Sequence, residues 1–203
     1  MKWLRFRHHG TAAFGTLDGD RVHLHHGDMF DTPVATGVSL PLAELTWLAP
    51  CAPGKVIGLW NNFRAAAEKN GWAEPAEPLY FLKSPGSVIG HQQPIPVPAS
   101  YDGRVAFEGE LAVVIGRQAR AVSVADASAH IFGYCCANDV TAMELLNRDP
   151  TFPQWTRAKS FDGFGALGPF IDTAFDPAGA HLRTLVGGRE RQNYALADMF
   201  FRP

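Results

Sequence analysis

The stretch Phe107-Glu108-Gly109-Glu110-Leu111-Ala112-Val113-Val114-Ile115-Gly116 (FEGELAVVIG) sets two carboxylates at the mouth of an apolar run. The run is short and aliphatic and closes on glycine, which predicts a buried strand. In a strand, residues i and i+2 share a face about 6 to 7 Å apart, so Glu108 and Glu110 point one way while Leu111 and Val113 point the other. Two like charges side by side are costly unless they face water or a cation. A hard divalent ion such as Mg²⁺ takes oxygen ligands at about 2.1 Å and turns that repulsion into attraction, given a third carboxylate. Asp139, at the end of GYCCANDV, is the candidate. On spacing alone, a pair that simply faces solvent remains the alternative.

Working outward, 203 residues suffice for one large domain, or for a core domain with a smaller appendage. With 20 glycines and 15 prolines beside 46% hydrophobic residues, many turns and short strands are expected rather than a helix bundle. A formal net charge of -2 gives no electrostatic basis for nucleic-acid or anionic-membrane binding, so a small-molecule partner is expected. The chain has no run of 18 apolar residues, and MKWLRFRHHG lacks the pattern of a secretory signal, so a cytoplasmic location is expected. Cys51, Cys135 and Cys136 form neither a disulfide framework nor a CxxC metal pattern and are read as buried thiols.

Residues 1–50 read as a small β subdomain: KWLRFRH, TAAFGTL, a turn at Asp18-Gly19, then RVHLHH. Residues 51–203 form the second unit, entered through Pro50 and Pro53. There KVIGLW and LYFLK read as strands, and Asn61-Asn62 as the cap of a helix FRAAAEKN closed by Gly71. SPGSVIGHQQPIPVPAS reads as a long loop. Ser123 and Asp126 resemble a capping box that opens a helix VADASAHIF ending at Gly133. GYCCANDV reads as a strand, TAMELLN as a short helix, 149–170 as irregular, FIDT as a strand, and HLRTLVGG/RERQNYA as a hairpin turning at Gly187-Gly188. His23 and His25 share a strand face but lack further ligands for zinc, and GFGALGP lacks the strand-turn-helix setting of a dinucleotide site.

From Lys55 to Gln192 the chain resembles the fumarylacetoacetate hydrolase family, through KVIGLWNNF, LYFLK, VAFEGELAVVIG, GYCCANDVTA, WTRAKSFDGFGALGP and GGRERQ in that order. The resemblance implies an α+β fold with a mixed β-roll core, a small amino-terminal β subdomain, and closing carboxy-terminal strands that would follow Pro203, so that the sequence is natively short, truncated, or continues past that residue. It implies Mg²⁺, or Mn²⁺ or Ca²⁺, held by Glu108, Glu110 and Asp139, with Lys159 of RAKSFD as the active-site lysine and Lys83 of YFLK near the substrate. The implied substrate is a 2-oxo acid or 1,3-dicarbonyl compound, and the implied assembly a homodimer. Arg64, after the first core strand, is a further candidate for a substrate carboxylate, since guanidinium binds carboxylates bidentately; a surface helix arginine is the alternative.

Departures from the family pattern bear on the reaction. Family hydrolases place a histidine in the helix after the first core strand, and the aligned residue here is Ala66. General-base catalysis typically contributes about 10²- to 10⁴-fold, so carbon–carbon hydrolysis is less expected than decarboxylation, isomerisation or tautomerisation of a 2-oxo dicarboxylic acid. Met143, Glu144 and Leu146 stand where the family more often shows Arg, Asp and Gln, which predicts a more apolar pocket. The competing reading is a catalytically degenerate member that binds a metal or metabolite or serves as a partner subunit.

Overall fold

A computed structural model describes residues 1–203. The molecule is a mixed α+β protein dominated by strands, as the glycine, proline and hydrophobic content predicts. Its main sheet has nine strands. Along its path they run Gly109–Ile115, Ile131–Asp139, Gly165–Asp172, Lys2–His8, Thr11–Asp18, Arg21–His26 and Val34–Pro41, with Thr46–Trp47 and Val88–Ile89 attached at the sides. Three two-stranded ribbons complete the fold: Val56–Trp60 with Leu79–Lys83, Val105–Ala106 with Thr141–Ala142, and His181–Val186 with Arg189–Ala195.

The first fifty residues join this sheet directly. Lys2 pairs with Asp172 and Trp3 with Ile171, and Trp3, Met29, Cys51, Cys135 and Ile171 share one apolar cluster. Burying these side chains stabilises the seam by about 1.5–3 kcal/mol per large apolar residue. The thiols of Cys51 and Cys135 are buried as expected, whereas Cys136, the neighbour on the opposite strand face, is exposed.

Several local expectations are corrected by tertiary contacts. The helix expected to run from Val124 to Gly133 is four residues, Val124–Ala127, followed by a 3-10 turn, and Ile131 already pairs with Ile115 as strand. β-Branched and aromatic Ile131 and Phe132 favour the ladder over another helical turn. The region expected to be irregular contains a helix, Trp155–Lys159, and the first residues of the strand Gly165–Asp172, which begins well before the expected strand FIDT. Within the long loop, Val88–Ile89 pairs in parallel with Gly165 and Ala166. Asn61 and Asn62 do not cap the helix Arg64–Asn70: their side-chain amides donate to the carbonyls of Ala73 and Phe201. The Ala65 N–H donates instead to Asp198 Oδ2 at 2.8 Å, a cap contributed from 133 residues away. The hairpin at Gly187-Gly188 forms as read.

Candidate functional site

Register places the carboxylates. Glu110 is opposite Ala137 on the strand Ile131–Asp139, so Glu110 and Asp139, two residues further on, lie on one face. Glu108 ends the ladder, with its carbonyl accepting the Asp139 N–H at 2.8 Å and its own N–H donating to Asn138 Oδ1 at 3.1 Å. The two-residue alternation of FEGELAVVIG thus sets Glu108 and Glu110 against Asp139.

Two buried lysines close on these groups. On the strand Leu79–Lys83, Phe81 and Lys83 face inward, and Lys83 Nζ reaches Asp139 Oδ1 at 2.6 Å and the Val140 carbonyl at 3.3 Å. Gly165, opposite Asp139, lets Ser87 approach closely, because a Cβ there would lie 3.0 Å from Ser87 Oγ; the Lys83 stem lies just beyond, with Cε 3.6 Å from the same point, in ordinary contact. Lys159 ends the helix Trp155–Lys159, and its ammonium donates to both Glu108 Oε2 and Asp139 Oδ2. One helical turn earlier, Trp155 stacks on Phe81 with centroids 5.4 Å apart, while Lys159 Nζ sits 4.6 Å above the same ring. Phe81 therefore fixes the helix and the ammonium together.

The electrostatics follow from burial. Both lysine side chains are 4% exposed and that of Asp139 is 12% exposed, so the pairs Lys83–Asp139 and Lys159–Asp139 are desolvated. Glu108 is the wetter end, at 41% exposed. Burial lowers the Lys83 pKa, opposed by the Asp139 charge. Burial raises that of Glu108, opposed by Lys159. Glu110 is pushed up to about 8, by burial first and then by the charges of Asp139 and Glu108, and it forms no ion pair of its own. Two carboxylates and two ammonium groups thus pair off, and a third carboxylate is held beside them in its protonated form at neutral pH.

The residues singled out in the sequence divide accordingly. Glu108, Glu110, Asp139, Lys83 and Lys159 come together; Arg64 does not join them. Arg64 lies on the surface helix, where its guanidinium meets Glu74 at 3.4 Å and covers the Phe200 ring at 4.3 Å. Nor do the carboxylates form a ready-made cage, since no three acidic, histidine or cysteine side chains are arranged around a single ion position. The Lys159 ammonium stands between Glu108 and Asp139, as Coulomb attraction requires where two carboxylates are drawn out of water. Ala66 packs against the apolar group Phe63, Leu196 and Met199. No histidine hydrogen-bonds to the cluster: His25 and His181 bond elsewhere, and His91 packs edge-on to Trp47. Glu144 accepts hydrogen bonds from the Tyr101 hydroxyl and the Arg104 N–H, while Leu146 packs into the core beside Leu145 and Phe164.

Residues 55–203 match the family model described as fumarylacetoacetate (FAA) hydrolase C-terminal. The chain belongs to the fumarylacetoacetate hydrolase family. Residues 1–50 match a second model, Rv2993c-like, N-terminal. Protein Rv2993c of Mycobacterium tuberculosis is 43% identical over 194 residues, covering 90% of this chain and 71% of that protein. Human mitochondrial oxaloacetate tautomerase FAHD2B is 34% identical over 167 residues, covering 80% of this chain and 52% of its own length. The crystal structure of a 5-carboxymethyl-2-hydroxymuconate delta-isomerase from Mycobacterium smegmatis superposes with a TM-score of 0.88 at 37% identity, covering 98% of this chain and 77% of that one. The chain thus spans between about half and about three quarters of the length of these relatives. The family is one of enzymes, with isomerases, tautomerases and hydrolases among its members.

Proposed function

We propose that this chain is a metal-dependent enzyme acting on a 2-oxo acid or 1,3-dicarbonyl compound, with a divalent cation held by Glu108, Glu110 and Asp139. The observation that carries this reading is Glu110: a carboxylate half-buried beside two others, raised to a pKa of about 8, with no cation of its own. The donor set is all oxygen and suits a hard ion such as Mg²⁺ or Mn²⁺. When bound, such an ion supplies Lewis-acid polarisation of the substrate's 2-oxo group.

The remaining roles fall to side chains. Lys159 already balances Glu108 and Asp139, and it is the group free to exchange those partners for a substrate oxygen as negative charge develops on it. Lys83 orients Asp139 through its 2.6 Å contact. Enolisation or decarboxylation needs this charge stabilisation and modest proton transfer. Hydrolysis needs an activated water, and Ala66 and its apolar neighbours offer no base. The names of the tautomerase and isomerase relatives support the same ranking. The chain is further proposed to work in the cytoplasm as a homodimer. Phe200 and Phe201, apolar residues near the end of the sequence, are engaged within the chain: Arg64 covers the Phe200 ring and Asn62 bonds to the backbone of both.

Turnover of oxaloacetate and of acylpyruvates, with Mg²⁺ and with chelator, tests the reading. Tautomerisation or decarboxylation of oxaloacetate is expected to dominate and to vanish with chelator. Lys159→Met should lose most activity while retaining metal binding. Efficient acylpyruvate cleavage with negligible oxaloacetate turnover would overturn the ranking, and activity indifferent to chelator would overturn the metal's role.

A further inference from the structure

Glu108 and Glu110 are separated by the residue type with the greatest backbone freedom, so any rotation at Gly109 swings one carboxylate relative to the other. The strand Gly109–Ile115 is also an edge of the main sheet: Ile131–Asp139 pairs with one side of it, and no strand pairs with the other. On that open side a single primary amide takes both backbone groups of Gly109. Gln192 Oε1 accepts the Gly109 N–H at 3.0 Å, and Gln192 Nε2 donates to the Gly109 carbonyl at 2.7 Å. The Gly109 N–H and carbonyl fix which end of the amide accepts, and the Thr184 hydroxyl, from the register partner of Gln192 across the hairpin, donates to the same Oε1 at 3.0 Å and holds the amide in that place. The approach requires glycine, because a Cβ at position 109 would lie 2.0 Å from Thr184 Oγ1.

We propose that Gln192, oriented by Thr184, is a positioning residue that locks the Glu108-Gly109-Glu110 backbone so that both carboxylates address one cation. This rests on the metal-binding reading above. The amide acts as a substitute strand neighbour, removing at Gly109 the freedom that would otherwise blur the spacing of the pair. Asn138 does the corresponding work on the inner side, through the Glu108 N–H.

The test compares Gln192→Leu and Thr184→Val in the full chain with Asn193→Ala, whose side chain engages only His181 and Glu190. Calorimetry with Mn²⁺ is expected to show affinity weakened about tenfold or more in the first two and unchanged in the third. Amide exchange at Gly109, followed by NMR without metal, should be faster in the first two alone. A purely structural role predicts lower urea stability with Mn²⁺ affinity intact, and that result in folded Gln192→Leu or Thr184→Val overturns the proposal. If Gln192→Leu fails to fold, Thr184→Val decides. A parent chain that binds no Mn²⁺ is the separate outcome that overturns the metal-binding reading, and this inference with it.

Discussion

Glu110 is the residue at which charge and folding meet. Its carboxyl titrates near 4.5 in the unfolded chain and at about 8 in the folded one, so the native state binds the extra proton between those values. Stability from this group is therefore full below about pH 4.5, declines as pH rises, and is lost above about 8, the loss being on the order of a few kcal/mol. Urea unfolding in chelator should show the parent losing stability from pH 5.5 to pH 8 and Glu110→Gln losing much less. A divalent cation added at pH 8 should restore the parent and not the variant. Identical pH profiles for the two proteins would mean that the raised pKa does not exist.

Elements matter here as carriers of one or two side chains each. The helix Trp155–Lys159 is only five residues long, too short to be stable by itself. Its position is set by Trp155 and Lys159, both packed against Phe81, which the strand Leu79–Lys83 presents beside Lys83. Phe81→Leu is expected to destabilise the chain by about 1–3 kcal/mol in urea titration. It should also lower turnover more than the loss of folded protein explains, because Lys159 loses its ring support. Unaltered turnover at full folded population would show that the carboxylates alone place the lysine.

On the scale of the whole molecule, the ribbon Val56–Trp60 with Leu79–Lys83 leaves an apolar face uncovered. Ile57 pairs with Leu82 and Leu59 with Tyr80, and all four are exposed, Tyr80 at 70%. Such a face is stabilised by burial against another surface at roughly 25 cal/mol per Å². Light scattering at micromolar concentration is expected to report a dimer, and Leu59→Glu to shift it towards monomer. A monomeric parent would remove the homodimer from the proposed function. No helix is long and apolar enough to cross a membrane.

The sequence by itself determined the strand at FEGELAVVIG, the common side of Glu108 and Glu110, the hairpin at Gly187-Gly188 and the family, because these depend on two-residue alternation, turn chemistry and ordered local segments. Tertiary structure alone decided the rest. Arg64 was drawn to Glu74 and Phe200, Asp198 capped a helix 133 residues away, and Trp3 joined the first strand to Ile171. It also decided that Lys159 lies between Glu108 and Asp139, and that Gln192 seals the open edge at Gly109. Those contacts link residues ten or more positions apart, and their partners are selected by which charges and backbone groups burial leaves unsatisfied, a quantity that no local pattern encodes.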